Sequence, residues 1–393
     1  MSTISCFTEW DKLEAIIVGV PDYNCQPDHE PGVKAKIFSA ASAKDFPVGL
    51  RPPGAYVAAQ RELDNLIRVL TFYGVKVEHP EVLDWNQGIS TPWWTAPVMH
   101  GASCPRDIIT VIGKDIIESG MSSRCRFFEY AAYRGLIGRC LELDPASRWT
   151  AAPKPVLWDK AYRSDYPWKE DSEKRSSMIE RKEFVTTEED VIFEAADIMK
   201  FGRDLFVRHG FTTNLKGIDW LRRHLSWPNA DAGVDAPFRV HAIDFPNDLC
   251  PLHMDATFFP IKAPDNERKG VIYNSPARRL RESLKPIFRD SFDILDAPQA
   301  QWTDSPPRSM CSPWLSMNML HIDPSTIIVE STEKNTIKHL ESLGMKVVQC
   351  PFRSCYEMGG SFHCHTSDLH RQGMQVDYFK HLTTTQETRE SSA

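Results

Sequence analysis

The chain has no apolar run approaching the roughly 18 residues that a membrane-crossing helix needs. Its ten cysteines form no Cys-x-x-Cys pair. Basic runs are missing too: Lys and Arg number 46 against 53 Asp and Glu, and the net charge is −7. Nucleic acid is therefore not an expected partner. There is no Gly-x-Gly-x-x-Gly and no Gly-x-x-x-x-Gly-Lys-[Ser/Thr], which argues against dinucleotide and P-loop chemistry. The first residues, Met1 to Leu13, carry Glu9, Asp11 and Lys12 and no apolar core, so neither a signal nor a transit peptide is expected. The expected setting is the cytoplasm, with reduced thiols and no membrane.

What is present is the composition of a globular protein, with 41% hydrophobic and 25% charged residues in 393. That length suits one large domain or two to three ordinary ones. A short unit recurs. Arg61 to Tyr73 reads as an amphipathic helix followed by a strand at Gly74-Val75-Lys76-Val77-Glu78. Ile337 to Leu343 reads as a second helix, followed by Gly344-Met345-Lys346-Val347-Val348. A helix, a glycine and then x-Lys-Val, occurring twice far apart, hints at an internal repeat. Further strands are expected at Ala15–Val20, Asp107–Ile112, Asp204–Val207, Arg239–Asp244, Gly270–Tyr273 and Thr326–Glu330. The fold class expected is α/β, with βαβ-like modules about a centre. Residues 144–190 read as an inserted polar segment, solvated and containing one helix, with a dense mixed-charge run at Lys169–Arg175. Residues 383–393 read as a flexible tail.

Four places can carry chemistry. Asp107 opens a strand. Glu194 and Asp197 lie in Phe193-Glu194-Ala195-Ala196-Asp197. His253 and Asp255 lie in Pro251-Leu252-His253-Met254-Asp255. Cys364 follows a glycine turn in Gly359-Gly360-Ser361-Phe362-His363-Cys364-His365-Thr366. Each has a plainer reading: a turn cap, a surface ion pair, a satisfied core histidine, a buried thiol. Together they suggest a guanidinium site. A planar cation is held flat between carboxylates, leaving its carbon open to a thiolate, while an imidazole moves protons. The carboxylates raise the thiol's pKa and a bound guanidinium offsets that.

Several ordered motifs accompany these residues: Arg106-Asp107; Arg126-Phe127-Phe128-Glu129-Tyr130; Gly202-Arg203-Asp204; Asp219-Trp220-Leu221-Arg222-Arg223-His224-Leu225; His253-Met254-Asp255-Ala256-Thr257-Phe258; Trp314-Leu315-Ser316-Met317-Asn318; and Gly359 through Thr366. On these motifs the chain resembles the arginine amidinotransferases, the glycine amidinotransferase family of the pentein superfamily. The resemblance runs from Glu9-Trp10-Asp11 to Arg371. It implies a five-bladed, pseudo-symmetric α/β propeller of ββαβ modules, formed by one domain over residues 1–382, with the active site in the central channel. It implies Cys364 as nucleophile, His253 as general acid and base, and Glu194 as the carboxylate that orients the histidine. Asp107 and Asp255 would bind the guanidinium and Arg278 the donor's α-carboxylate. No metal or cofactor is implied. Substrates are L-arginine and a primary amine, and dimers are common in the family.

The chain also departs from the glycine enzyme. Glu194 stands for an aspartate, His365 for a tryptophan and Ser361 for a glycine. Cys250 and Leu252, where the acceptor pocket is expected, stand for an asparagine and a methionine. These changes point away from glycine and toward another, larger amine. Enzymes of this kind also serve natural-product pathways to guanidino toxins or antibiotics. Two other readings stand beside this one. A hydrolase of the same superfamily would replace the amine by water and release citrulline. A non-catalytic metal-binding module would use His363, Cys364, His365, Asp368 and His370.

Overall fold

The computed structural model describes residues 4–36, 47–168, 171–226, 234, 236–247, 253–302 and 313–382. Among them are five sheets of three strands, all with one plan: an antiparallel pair, then a strand parallel to its middle member. In the first module Thr366–Gln372 pairs antiparallel with Lys12–Val18, and Lys76–Glu78 lies parallel to the latter. The second joins Ile109–Ile112, Asp115–Glu118 and Arg148–Ala151. The third joins Ile198–Phe201, Asp204–Arg208 and Arg239–Ile243. The fourth joins Phe258–Lys262, Gly270–Asn274 and Phe292–Asp296, and the fifth Leu320–Asp323, Thr326–Glu330 and Lys346–Cys350.

Parallel pairing requires a crossover, and each module supplies one. The crossovers are the helices Pro53–Phe72, Arg134–Leu143, Leu215–His224 and Lys334–Ser342 and, in the fourth module, the 3₁₀ segment Glu282–Ile287. Each α-helix buries one stripe, such as Leu63, Leu66 and Leu70 in the first. Asn214 caps its helix, accepting from the Gly217 N–H at 2.9 Å. Gly74 and Gly344 follow the two helices of the sequence repeat with φ of 78° and 82°, the left-handed conformation that ends a helix without a Cβ clash.

The middle strands are apolar because both faces are covered; Ile116, Ile117, Leu205, Phe206, Ile327 and Ile328 are all buried. In the first, third and fifth modules the first strand is different. Lys200, His321, Asp368 and Arg371 lie in first strands and are almost fully buried. Immediately before each first strand the chain makes a short turn: Pro105–Ile108, Ala195–Asp197, Met254–Ala256, Pro313–Met317 and the bend that ends at His365. These five turns carry the site.

The 144–190 segment is less free than its charge suggests. Its Arg148–Ala151 stretch is the third strand of the second module. Beyond it, Leu157, Tyr162, Tyr166, Met178, Ile179 and Phe184 bury one another, with Phe211 of the third module. The one expected helix is Ser172–Glu180. Its Arg175 is fully buried and donates to the Ala35 carbonyl at 2.5 Å. Of the nearby tryptophans, Trp85 and Trp94 are buried and Trp93 is exposed. No helix among the described residues is long and apolar enough to cross a membrane.

Candidate active site

His253 begins the turn before the fourth module. Its Nε2 lies 2.5 Å from Glu194 Oε2, and its Nδ1 lies 3.5 Å from Asp107 Oδ1. Three turns from three modules thus bring one imidazole between two carboxylates. Burial works against a charged ring, but Asp107, Glu194 and Asp197 outweigh it and raise the pKa of His253 to about 9. Burial alone would raise the pKa of Glu194, yet Lys36, His253 and Arg126 hold it well below the usual carboxylate range. Near neutrality the pair is therefore an imidazolium and a carboxylate.

Asp107 is held from its other side. Arg126 Nη1 donates to Asp107 Oδ2 at 2.5 Å, while Arg126 Nε and Nη2 fork onto Glu129 at 3.0 and 2.8 Å. All three are buried. A bidentate guanidinium–carboxylate pair fixes direction as well as charge. It leaves Asp107 Oδ1 turned toward the histidine, accepting no hydrogen bond.

Cys364 stands on the second carboxylate. Its Sγ lies 3.5 Å from Asp255 Oδ2, and its N–H donates to Asn318 Oδ1 at 3.0 Å. Gly360 lies against the thiol: a Cβ there would sit 2.6 Å from Sγ. The preceding Gly359 has φ 117°, a conformation that L side chains rarely adopt. The two glycines are thus required by turn shape and by close approach. Asp255 Oδ2 also contacts His363 Nδ1 at 2.9 Å, and His363 Nε2 contacts Glu9 Oε2 at 3.2 Å. Burial would raise the pKa of Asp255, but the hydrogen bond and charge of His363 lower it. Asp255 Oδ1, like Asp107 Oδ1, accepts no hydrogen bond. A buried carboxylate oxygen without a donor is uncommon, and two beside one thiol and one imidazole suit a cation that brings several N–H groups.

Beneath this floor lies an ion cluster. Glu9 meets Lys200 at 3.1 Å and Arg106 at 3.7 Å. Asp368 meets Arg106 at 3.1 Å, Arg371 at 3.1 Å and Lys200 at 3.8 Å. Such charges are tolerated in an interior because each has an opposite partner.

The expected site residues therefore divide as follows. Asp107, Glu194 and His253 meet one another. Cys364 meets Asp255, two residues along the turn from His253. Arg278 is buried, with Nη2 2.5 Å from the Ala256 carbonyl, next to Asp255. Cys250 and Leu252 lie outside the described residues. Arg126, Ser122, Asn318, His363 and Glu9 touch the site and had no catalytic role in the sequence reading, His363 being named only as a candidate metal ligand. Arg126, Asn318 and His363 lay inside quoted motifs, so motif membership was their only signal.

The putting together of His363, Cys364, His365, Asp368 and His370 as metal ligands finds no support in the geometry. His363 bonds Asp255 and Glu9, His365 Nδ1 lies 3.1 Å from the Ser361 carbonyl, and Asp368 serves three cations. Burial pushes the pKa of His365 down to about 4. The group among the described residues whose ligand atoms do converge, within 4.8 Å of one another, is Asp107, Glu194 and His253. Arg126 already places a cation against Asp107 and, at 3.8 Å, near Glu194.

Comparison with known proteins gives a consistent result. The mitochondrial glycine amidinotransferase of Danio rerio is 36% identical over 382 residues, covering 96% of this chain and 85% of that protein. The L-arginine:L-lysine amidinotransferase of Pseudomonas savastanoi pv. phaseolicola is 35% identical over 384 residues, covering 96% and 97%. Among solved structures, SxtG of Microseira wollei, an amidinotransferase of saxitoxin biosynthesis, aligns with a TM-score of 0.80 at 33% identity, over 96% of this chain and 100% of that one. The inosamine-phosphate amidinotransferase StrB1 of Streptomyces griseus aligns at 0.82 and 28%, with the same coverage. A dimethylarginine dimethylaminohydrolase of Pseudomonas aeruginosa, at 13% identity and a TM-score of 0.51 over 91% of this chain and 99% of that one, shares the fold alone. No family model matches the chain.

Proposed function

Because the chain belongs to the amidinotransferases, enzymes that transfer amidino groups, we propose that it moves the amidino group of L-arginine to a primary amine through a covalent intermediate on Cys364. The five modules would stand as propeller blades, their leading turns facing one central channel. The observation that carries the reading is the pair of buried carboxylates, Asp107 beside the imidazole and Asp255 beside the thiol, each with an oxygen that makes no close, well-aligned hydrogen bond. They match the two edges of a guanidinium.

The chemistry follows from the contacts. The substrate cation lies between Asp107 and Asp255, and its charge favours the thiolate of Cys364. Sulfur attacks the guanidinium carbon. His253, cationic below about pH 9, gives the Nδ1 proton to the departing amine, since its Nε2 is engaged by Glu194. Ornithine leaves and the amidino group stays on sulfur. The acceptor amine then attacks that carbon, His253 takes a proton from it, and the thiolate departs. Asn318 holds the main chain of Cys364 throughout. Arg278, beside the Asp255 turn, is the residue we assign to the donor's α-carboxylate. Acid–base transfer of this kind contributes about 10²–10⁴-fold and positioning can add more.

The acceptor is a primary amine other than glycine. Relatives acting on lysine or standing in toxin biosynthesis are consistent with this. The test combines arginine with a panel of amines, scores ornithine against citrulline, and looks for an amidino adduct on the protein by mass spectrometry. Ornithine formed in step with a new guanidino compound, and an adduct lost in Cys364→Ala, are expected. Citrulline as the sole product would give the hydrolase instead.

A further inference from the structure

Glu194 is one methylene longer than the aspartate expected at its position, and something must fix the extra torsion. The fixing group is Ser122. Glu194 Oε1 accepts both the Ser122 N–H at 3.1 Å and the Ser122 hydroxyl, while Oε2 faces His253 at 2.5 Å. Two donors on one oxygen leave the other for the ring. Ser122 is itself held. The Tyr162 hydroxyl donates to its carbonyl at 2.9 Å. Glu30 takes the N–H groups of Arg124 and Cys125 at 2.9 and 3.3 Å. The preceding residue, Met121, is buried with φ 53°. A non-glycine residue in that region is strained and persists only where its surroundings over-determine it.

Tyr162 belongs to the 144–190 segment, to which the sequence attached no chemistry. The catalytic histidine is thus reached from that segment by an unbroken line: Tyr162, Ser122, Glu194, His253. Resting on the function proposed above, we propose that Ser122 is a positioning residue that clamps Glu194 onto His253, and that Tyr162 of the 144–190 segment sets the clamp. The charged and titratable groups facing this line are Asp107, Asp197, Arg126 and Lys36 at the Glu194–His253 end and Glu30, Arg124 and Cys125 at the Tyr162 end, and none of their side chains bonds Ser122.

The test compares Ser122→Ala and Tyr162→Phe with the native protein, reading kcat, KM for arginine and the alkaline limb of the kcat–pH profile. Ser122→Ala should lower kcat about tenfold or more, with KM for arginine within about twofold, since Asp107 and Asp255 are untouched. Its alkaline limb should move toward neutrality, because a turned Glu194 supports the imidazolium less. Tyr162→Phe should shift both readings the same way by a smaller factor. An unchanged kcat and limb in Ser122→Ala overturns the proposal, and so does a lower kcat with an unmoved limb, the mark of a merely structural loss. Should Ser122→Ala fail to fold, an unshifted limb in Tyr162→Phe overturns it. Native protein that makes no ornithine with any amine would instead sink the function, so the two failures are distinguishable.

Discussion

Cys364 and Gly360 are two halves of one feature. A methyl group at 360 would meet the sulfur at 2.6 Å and the Cys364 Cβ at 2.2 Å, so one of them must move. Displacement of a reacting atom by about 1 Å can cost about 10²-fold in rate. Gly360→Ala should therefore lose about that factor in kcat while keeping its far-ultraviolet circular dichroism; turnover within a few-fold of native would show that the turn relaxes harmlessly. The histidine makes a pH prediction. Its ordinary value is near 6.5, and its neighbours carry it to about 9 in the folded protein. The folded state thus keeps a proton that the unfolded chain releases above about pH 6.5. The site's contribution to stability is whole below that pH and is lost as pH rises through about 9. Urea midpoints taken across this window should fall, and His253→Asn should flatten the fall. Under the proposed mechanism, transfer of the amidino group from arginine to the thiol should fade over the same upper range as the acid form of the ring disappears.

At the scale of elements, the repeat predicted from two glycines can be tested directly. Nothing lies within 4 Å of a Cβ built at Gly74, and at Gly344 only Lys262 Nζ, at 3.9 Å. Alanine at either place should thus cost only the left-handed backbone term, about 1–2 kcal/mol, lowering the urea midpoint with no change in m or in activity per folded molecule. Three of the five middle strands were legible because they are apolar and short: Thr326–Glu330 is as expected, and Asp204–Arg208 and Gly270–Asn274 extend expectation by one residue; Lys12–Val18 starts and ends earlier than the expected Ala15–Val20, and Asp115–Glu118 was not foreseen. The first strands Ile198–Phe201, Phe258–Lys262, Leu320–Asp323 and Thr366–Gln372 were missed. Lys200, Pro260, His321, Asp368 and Arg371 interrupt their hydrophobic pattern, and only distant partners make such residues tolerable inside. Asp107 was placed in a strand and sits in the turn before one. The first helix starts at Pro53, earlier than its apolar spacing suggested, because proline fits a helix's first position.

Across the whole molecule, the side chains proposed for catalysis stood out in the sequence more clearly than the groups that surround them. Cys364, His253 and the acids have reactive chemistry and stand in recognisable motifs. Ser122, Glu9 and Lys200 carry no such mark, and their roles exist only through contacts between modules. Lys200 of the third module and Asp368 of the first share the buried cluster with Glu9 and Arg106. Removing one charge strands the others. Asp368→Asn should destabilise by about 3–5 kcal/mol, readable in the midpoint of chemical unfolding. A loss under about 1 kcal/mol would mean that water or rearrangement replaces the missing charge.

The strand that follows the proposed nucleophile Cys364, Thr366–Gln372, lies against Lys12–Val18, far earlier in the sequence. During synthesis Cys364 leaves the ribosome after every other residue assigned to catalysis, and its strand then docks on one made long before. If Cys364 is the nucleophile as proposed, nascent chains are inert toward arginine until that late docking, and work cannot begin on a half-built chain.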